Sequence, residues 1–247
     1  MRAYRFVNAL GSAAESAGRA VADAADVTAE HRGGLTERQA TGSTRIGEEL
    51  LRQIARHTEA TTLERADIEA RTVTTERNGQ AGDEPGLDVA LSIHVDLPSY
   101  ETTNVALGTV VHSSQLPADP PVREPTPVRE RLQAIAERTP AAVLLLVEDD
   151  GTRVIPAQSV LGLSEPVRRR AIDRHLYGRS LGRFVEELAE GFVGVDTLDP
   201  DTTRALDPGR DDHLRSWMGA QALEGVCALR IGPTRDQTVS TLSDFRE

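Results

Sequence analysis

The chain has 247 residues, long enough for one large or two modest domains, and its 38% hydrophobic content supports a real core even though aromatics supply only 3%. Its 28 basic residues are all arginine, against 39 acids, for a formal net charge of -11. The single cysteine, Cys227, excludes an internal disulfide and any CxxC chemistry, and the longest apolar run, 141–147, is far short of the ~20 residues that span a bilayer.

The absence of lysine suggests a GC-rich genome; with the acidic excess it points to a protein that works in high salt, where screening removes carboxylate repulsion, the alternative being a GC-rich organism of ordinary habitat. The excess is local. Residues 76–127 carry 8 acids and 2 arginines and residues 195–247 carry 10 and 6, whereas 1–75 (11 and 10) and 128–194 (10 and 10) are close to neutral. The start of the chain lacks an uninterrupted apolar stretch because Asn8, Ser12 and Glu15 break it, so no signal peptide is expected. A protein kept in the cytoplasm, or packed into a virion assembled there, is the corresponding expectation.

From Val7 onward apolar and small residues follow a heptad, with Val7, Ala14, Val21 and Thr28 in one register and Leu10, Ala17, Ala24 and His31 in the other; Gly11 and Gly18 repeat at seven. A coiled-coil-like stripe of alanine and glycine lets another helix approach closely and has too little apolar area to stand alone, so Val7, Leu10, Ala14, Ala17, Val21 and Ala24 are expected to meet a partner helix. After Gly33-Gly34, a capping box from Thr36 to Gln39 with Leu35 stapled to Ala40 opens a second helix, with Ile46, Leu50 and Ile54 on one face. The pair makes a helical hairpin, or an interface between copies. Another capping box, Thr61 to Glu64, predicts a short helix, or a continuation of the second one, before a strand near 71–77.

Strict alternation from Leu87 to Leu97, apolar at every odd position, is the clearest strand signal in the chain. After a turn, Val105, Leu107, Thr109 and Val111 restore the odd alternation. If the two strands form a hairpin, keeping both apolar sets on one face requires an even register sum, for instance Leu97 opposite Val105 and Leu91 opposite Val111, which sets His94 opposite Gly108 and His112 opposite Ala90. Residues 113–127 hold five prolines and form an extended connector. An amphipathic helix follows over 128–138, then a hairpin whose Asp150-Gly151 suits a type I′ turn. Its first arm, 141–148, is apolar on both faces and belongs at the centre of a sheet covered on both sides.

Ser164-Glu165-Pro166 starts a helix that breaks near Gly178 and resumes through Leu181, Phe184, Val185, Leu188, Ala189 and Phe192 to Gly194. An acidic loop covers 195–210, a helix with Trp217 covers 211–223, and a strand covers 226–231. The resulting fold class is α+β: an N-terminal helical hairpin followed by a mixed, mainly antiparallel sheet of five or six strands with packed helices. The expected domains are 1–75, a helical oligomerisation region, and 76–247, an α+β domain.

Arg168, Arg169, Arg170, Arg174, Arg179 and Arg183 form the strongest functional candidate, netting +4 with Glu165 and Asp173 in an acidic chain. On a helix over 166–183 they could contact phosphates or an acidic partner, although no aromatic platform or RNA-binding signature is read beside them; the plainer alternative is a solvated face paired to Glu186, Glu187 and Glu190. Asp211-Asp212-His213 and His94-x-Asp96 set a carboxylate beside an imidazole, but no HExxH or paired Cys/His spacing completes a metal site. No GxSxG elbow and no lysine-bearing phosphate loop is present. No catalytic motif, cofactor or metal site is therefore assigned. The leading expectation is a non-enzymatic structural or assembly subunit of a halophilic multiprotein complex or virus-like particle, with protein partners or its own copies. The alternatives are a nucleic-acid-associated adaptor using the arginine helix, and an enzyme assembled from His94, Asp96, His112 and His213.

Overall fold

Six consecutive buried aliphatics at 142–147 cannot sit on a half-solvated sheet, and they run through its interior. The structure, a computed structural model, describes residues 3–30, 39–63, 66–75, 86–98, 100–116, 126–164, 167–194, 206 and 211–234. Among these the order is α1 (Ala3–Glu30), α2 (Gln39–Glu59), β1 (Ala66–Thr74), β2 (Leu87–Leu97), β3 (Tyr100–His112), α3 (Pro127–Ala136), β4 (Ala142–Glu148), β5 (Gly151–Pro156), α4 (Ala157–Leu161), α5 (Arg169–His175), β6 (Arg179–Ser180), α6 (Leu181–Ala189), α7 (Asp211–Ala220) and β7 (Gly225–Pro233). The α+β class is the observed one, with seven strands instead of five or six, in the order β1-β7-β2-β3-β4-β5-β6. β7 runs parallel to β2, and β4 parallel to β3; the other four neighbours are antiparallel.

Both sheet faces are covered. Helices α1, α2 and α6 bury one face, which includes Val89, Ile93, Val110, Leu145 and Leu229; α3, α4, α5 and α7 bury the other, which includes Ala90, Leu107, Leu144, Ile155 and Ala228. This overturns the expected hairpin register. Leu91 pairs with Ala106 and Leu97 with Tyr100, so the odd residues of β2 face one layer and the odd residues of β3 face the other. Alternation in β3 therefore marks the second covered face and not a repeat of the first. His94 consequently pairs with Thr103. His112 lies nine residues further along β3, about 30 Å at the strand rise, so the two are not gathered.

The small-residue stripe of α1 is covered by the same chain. Val7, Leu10, Ala14, Ala17 and Val21 are buried in the core that α1 shares with α2, its expected hairpin partner, with α6 and with the sheet, while Ala24 is exposed. A Cβ on Gly182 would lie 2.5 Å from the Gly11 carbonyl oxygen, so the close approach that the stripe permits is made to α6. Glu15 reinforces the crossing by accepting the Gly182 N–H at 3.1 Å. α2 presents Leu50 and Ile54 to the same core, as its spacing predicts, with Ile46 partly buried. Segment 1–75 thus shares one core with the sheet, and its own strand β1 pairs with β7 along nine residues.

Other expectations shift locally. Thr61 opens no helix; its hydroxyl donates to the His57 carbonyl as α2 ends, and Glu64 lies outside the described residues. The caps at Thr36 and Ser164-Glu165-Pro166 and most of the connector 113–127 also involve residues outside them, although residues 113–115 form a single 3-10 turn. The hairpin turn at Asp149-Asp150 is not type I′, since Ala222 is the only non-glycine with positive φ among the described residues; Gly151 instead begins β5. No helix among the described residues is long and apolar enough to cross a membrane.

Candidate functional site

The arginine segment forms a broken edge instead of one continuous helix. α5 is only seven residues and ends at His175, and after three extended residues β6 pairs with β5 through Arg179 and Ser180. Ser180 then caps α6, its hydroxyl accepting the Arg183 N–H. Ala171 and Ile172 bury the inner face of α5, leaving Arg169, Arg170 and Arg174 outward; Arg168 is partly buried at the helix entry.

Ion pairing divides the six arginines. Arg183 meets Glu186 at 3.0 Å and Glu187 at 3.1 Å, and Arg179 meets Glu187 at 2.7 Å. Arg169 lies 3.9 Å from Asp173, whose carboxylate is held more closely by Arg153 at 2.7 Å. Arg170 and Arg174 are exposed, one helical turn apart, and without an ion-pair partner among the described residues. Pairing thus accounts for Arg169, Arg179 and Arg183, Arg168 is engaged at the partly buried helix entry, and the guanidinium groups of Arg170 and Arg174 are presented to solvent.

Sequence reasoning missed the residue between them and β6. Tyr177 is 98% exposed, flanked by Arg174 on one side and Arg179 on the other. A lone tyrosine has no periodic context, and the available signal was its position between a basic helix and a glycine. Phe192, expected on the apolar face of α6, is likewise 76% exposed. The helix ends at Ala189, Gly191 takes a positive φ of 77°, and the Phe192 N–H returns to the Glu187 carbonyl, which carries the ring off the helix.

The fragments considered for acid-base or metal chemistry have local partners. His94 Nδ1 sits 2.7 Å from the Thr103 hydroxyl, and Asp96 pairs with Arg230 at 3.3 Å. His112 Nδ1 lies 2.7 Å from the Ser114 hydroxyl and accepts the Ser114 N–H, capping the 3-10 turn. Burial lowers the His112 pKa, partly offset by Asp149. Asp211 pairs with Arg71 at 3.3 Å, and His213 is exposed on α7. Among the described residues no group of three or more His, Cys, Asp or Glu is placed to hold a metal.

A second charged cluster joins α3 to the sheet. Arg131 approaches Asp88 at 3.4 Å and Glu224 at 3.0 Å, and Thr109 donates to Asp88 at 2.7 Å. Burial raises the Asp88 pKa, with Arg131 opposing it. Asp88 N–H donates to the Glu224 carboxylate and Glu224 N–H to the Asp88 carbonyl, tying the starts of β2 and β7. This cluster clamps α3, β2, β3 and the start of β7 together.

No protein-family model matches the chain, and neither the curated proteins nor the solved structures contain a match to it.

Proposed function

We propose that the protein is a nucleic-acid-associated adaptor, a binding protein whose contact surface is the edge formed by α5, β6 and the start of α6. The observation that carries this reading is the exposure of Tyr177, three residues after Arg174 and seven after Arg170, two exposed arginines that have no carboxylate partner among the described residues. Guanidinium groups displace the counterions of a phosphate backbone, and an aromatic ring adds a surface that bases can occupy. The acidic regions elsewhere in the chain orient such a contact by repelling phosphate from the rest of the surface. The test is binding of a labelled mixed-sequence oligonucleotide across a salt series. Binding that weakens with salt, and that Arg170→Glu with Arg174→Glu abolishes at low salt, is the expected result; absence of binding, or binding indifferent to those changes, overturns it.

A structural or assembly subunit, cytoplasmic or within a virion, is the second reading. It no longer draws on the α1 stripe, which the chain buries itself. Its support is β1, nine residues long at the sheet edge, a geometry that can add a strand from a neighbour. Light scattering on a sizing column at about 2 M and about 0.2 M salt, with the 260/280 nm absorbance ratio, separates apolar association from phosphate binding. An oligomer free of nucleic acid in both conditions favours assembly; a monomer in high salt that carries nucleic acid in low salt favours the adaptor.

A further inference from the structure

We infer that Tyr177 is a stacking platform for the bases of a single-stranded nucleic acid, with Arg170 and Arg174 holding the adjoining phosphates; the inference rests on the adaptor reading. The ring is presented by an anchored backbone. Leu176, before it, packs on the core, and Gly178, after it, lies so close to β5 that a Cβ there would stand 2.2 Å from Arg153 Cγ and 3.0 Å from Ile155 Cγ1. Two residues further on, Ser180 is paired to Arg153 and caps α6. The chain on both sides of Tyr177 is thus fixed to the sheet while the side chain reaches water over 98% of its surface. The backbone is therefore already ordered when a base stacks, and only the two side-chain torsions of the ring remain to be fixed.

The geometry selects single strands over duplex. Base faces inside a duplex are already stacked on one another, so a projecting ring meets them only where the strand is open. Reading a duplex through its major groove takes a helix or a two-stranded ribbon that carries several side chains to the base edges; α5 has seven residues with its inner face in the core and β6 has two, so neither is so disposed. Arg170 and Arg174 are one turn apart on the outer face of α5, and Arg174 is three residues from the ring. A base on Tyr177 therefore sets its neighbouring phosphates toward guanidinium groups that no described carboxylate occupies. Because stacking uses the π-face that every base has, the contact is expected to be tolerant of sequence.

The test is fluorescence anisotropy of the full chain with a labelled strand of about 15 nucleotides, the upper range for such sites, run as DNA and as RNA, as the matching duplex, and as a strand with abasic positions. Tyr177→Ala should weaken single-strand binding about 5- to 150-fold, the loss of one stacked base, while Tyr177→Phe should retain it. Duplex and abasic strands should bind weakly and equally to the parent and to Tyr177→Ala. Both substitutions lie at a solvent-exposed position, and unchanged thermal unfolding of each verifies that folding is not the cause. Tyr177→Ala binding the natural strand as tightly as the parent, or abasic strands binding as tightly as natural ones, would overturn the stacking role while leaving the adaptor reading intact if Arg170→Glu with Arg174→Glu still abolishes binding. No binding by the parent to any strand at low salt overturns both. The ratio of DNA to RNA affinity identifies which strand is preferred.

Discussion

Replacing Gly182 by alanine should destabilise the fold, and the structure sets the size of the effect. The new Cβ would lie 2.5 Å from the Gly11 carbonyl oxygen and 3.0 Å from Glu15 Cβ. The first neighbour is helix backbone and cannot swing aside, so α1 and α6 must separate along the seam that buries Leu10, Ala14, Val185 and Leu188. Overpacking of this kind costs about 1 to 3 kcal/mol. The better helix propensity of alanine offsets at most about 1 kcal/mol, and less at Gly182, the second residue of α6. Gly219→Ala is the matched control. Gly219 lies in α7 with nothing within 4 Å of a new Cβ, so the same chemical change should stabilise by up to about 1 kcal/mol. Denaturant unfolding of both variants, with unchanged slopes, reads the two effects as midpoint shifts of opposite sign. Equal or greater stability for Gly182→Ala would refute the close crossing of α1 and α6.

Three further outcomes follow from the packing. Cys227 is fully buried and its thiol is pushed up to about 12, chiefly by burial, so a thiol reagent at neutral pH should label it only after unfolding; rapid labelling of the native protein would contradict its place in β7. The Asp88 carboxyl is raised above its ordinary 3.8 by burial, so the native state takes up that proton at higher pH than the unfolded chain does, and ionisation of Asp88 subtracts stability as pH rises through the window between 3.8 and the raised native value. The stability of Asp88→Asn relative to the parent should therefore increase with pH across that window, measured by denaturant midpoints; a decrease would reverse the sign argued for this group. A chain of residues 76–247 alone should show no cooperative unfolding transition, because it lacks β1, which lines β7, and the α1 and α2 side chains that cover one sheet face. A sharp transition by circular dichroism would establish an independent domain and refute the shared core.

The elements most readable from sequence were those whose local pattern admits one interpretation. The doubly apolar run at 142–147 required two covering layers and has them. The strand through Val226 and Ile231 was legible in the same way, but nothing local places this last strand between β1 and β2. The candidate site was half legible. The arginine excess and the pairing of Arg183 with Glu186 and Glu187 one turn away are local properties of the sequence, whereas the pairing of Arg179 with Glu187 and the capture of Asp173 by Arg153 depend on how α5, β5 and α6 meet. Tyr177 carried no such signal, because exposure is decided by what fails to cover a side chain.

The sequence by itself determined the α+β class, the burial of the α1 stripe from Val7 to Val21 and the central position of β4, since side-chain periodicity and apolar content follow from local backbone geometry. Only the tertiary structure decided which partner that stripe meets and which register β2 and β3 adopt. Both depend on the second covered face of the sheet: once α3, α4, α5 and α7 bury it, odd and even residues are equally admissible core positions, and hydrophobic alternation no longer selects a single pairing.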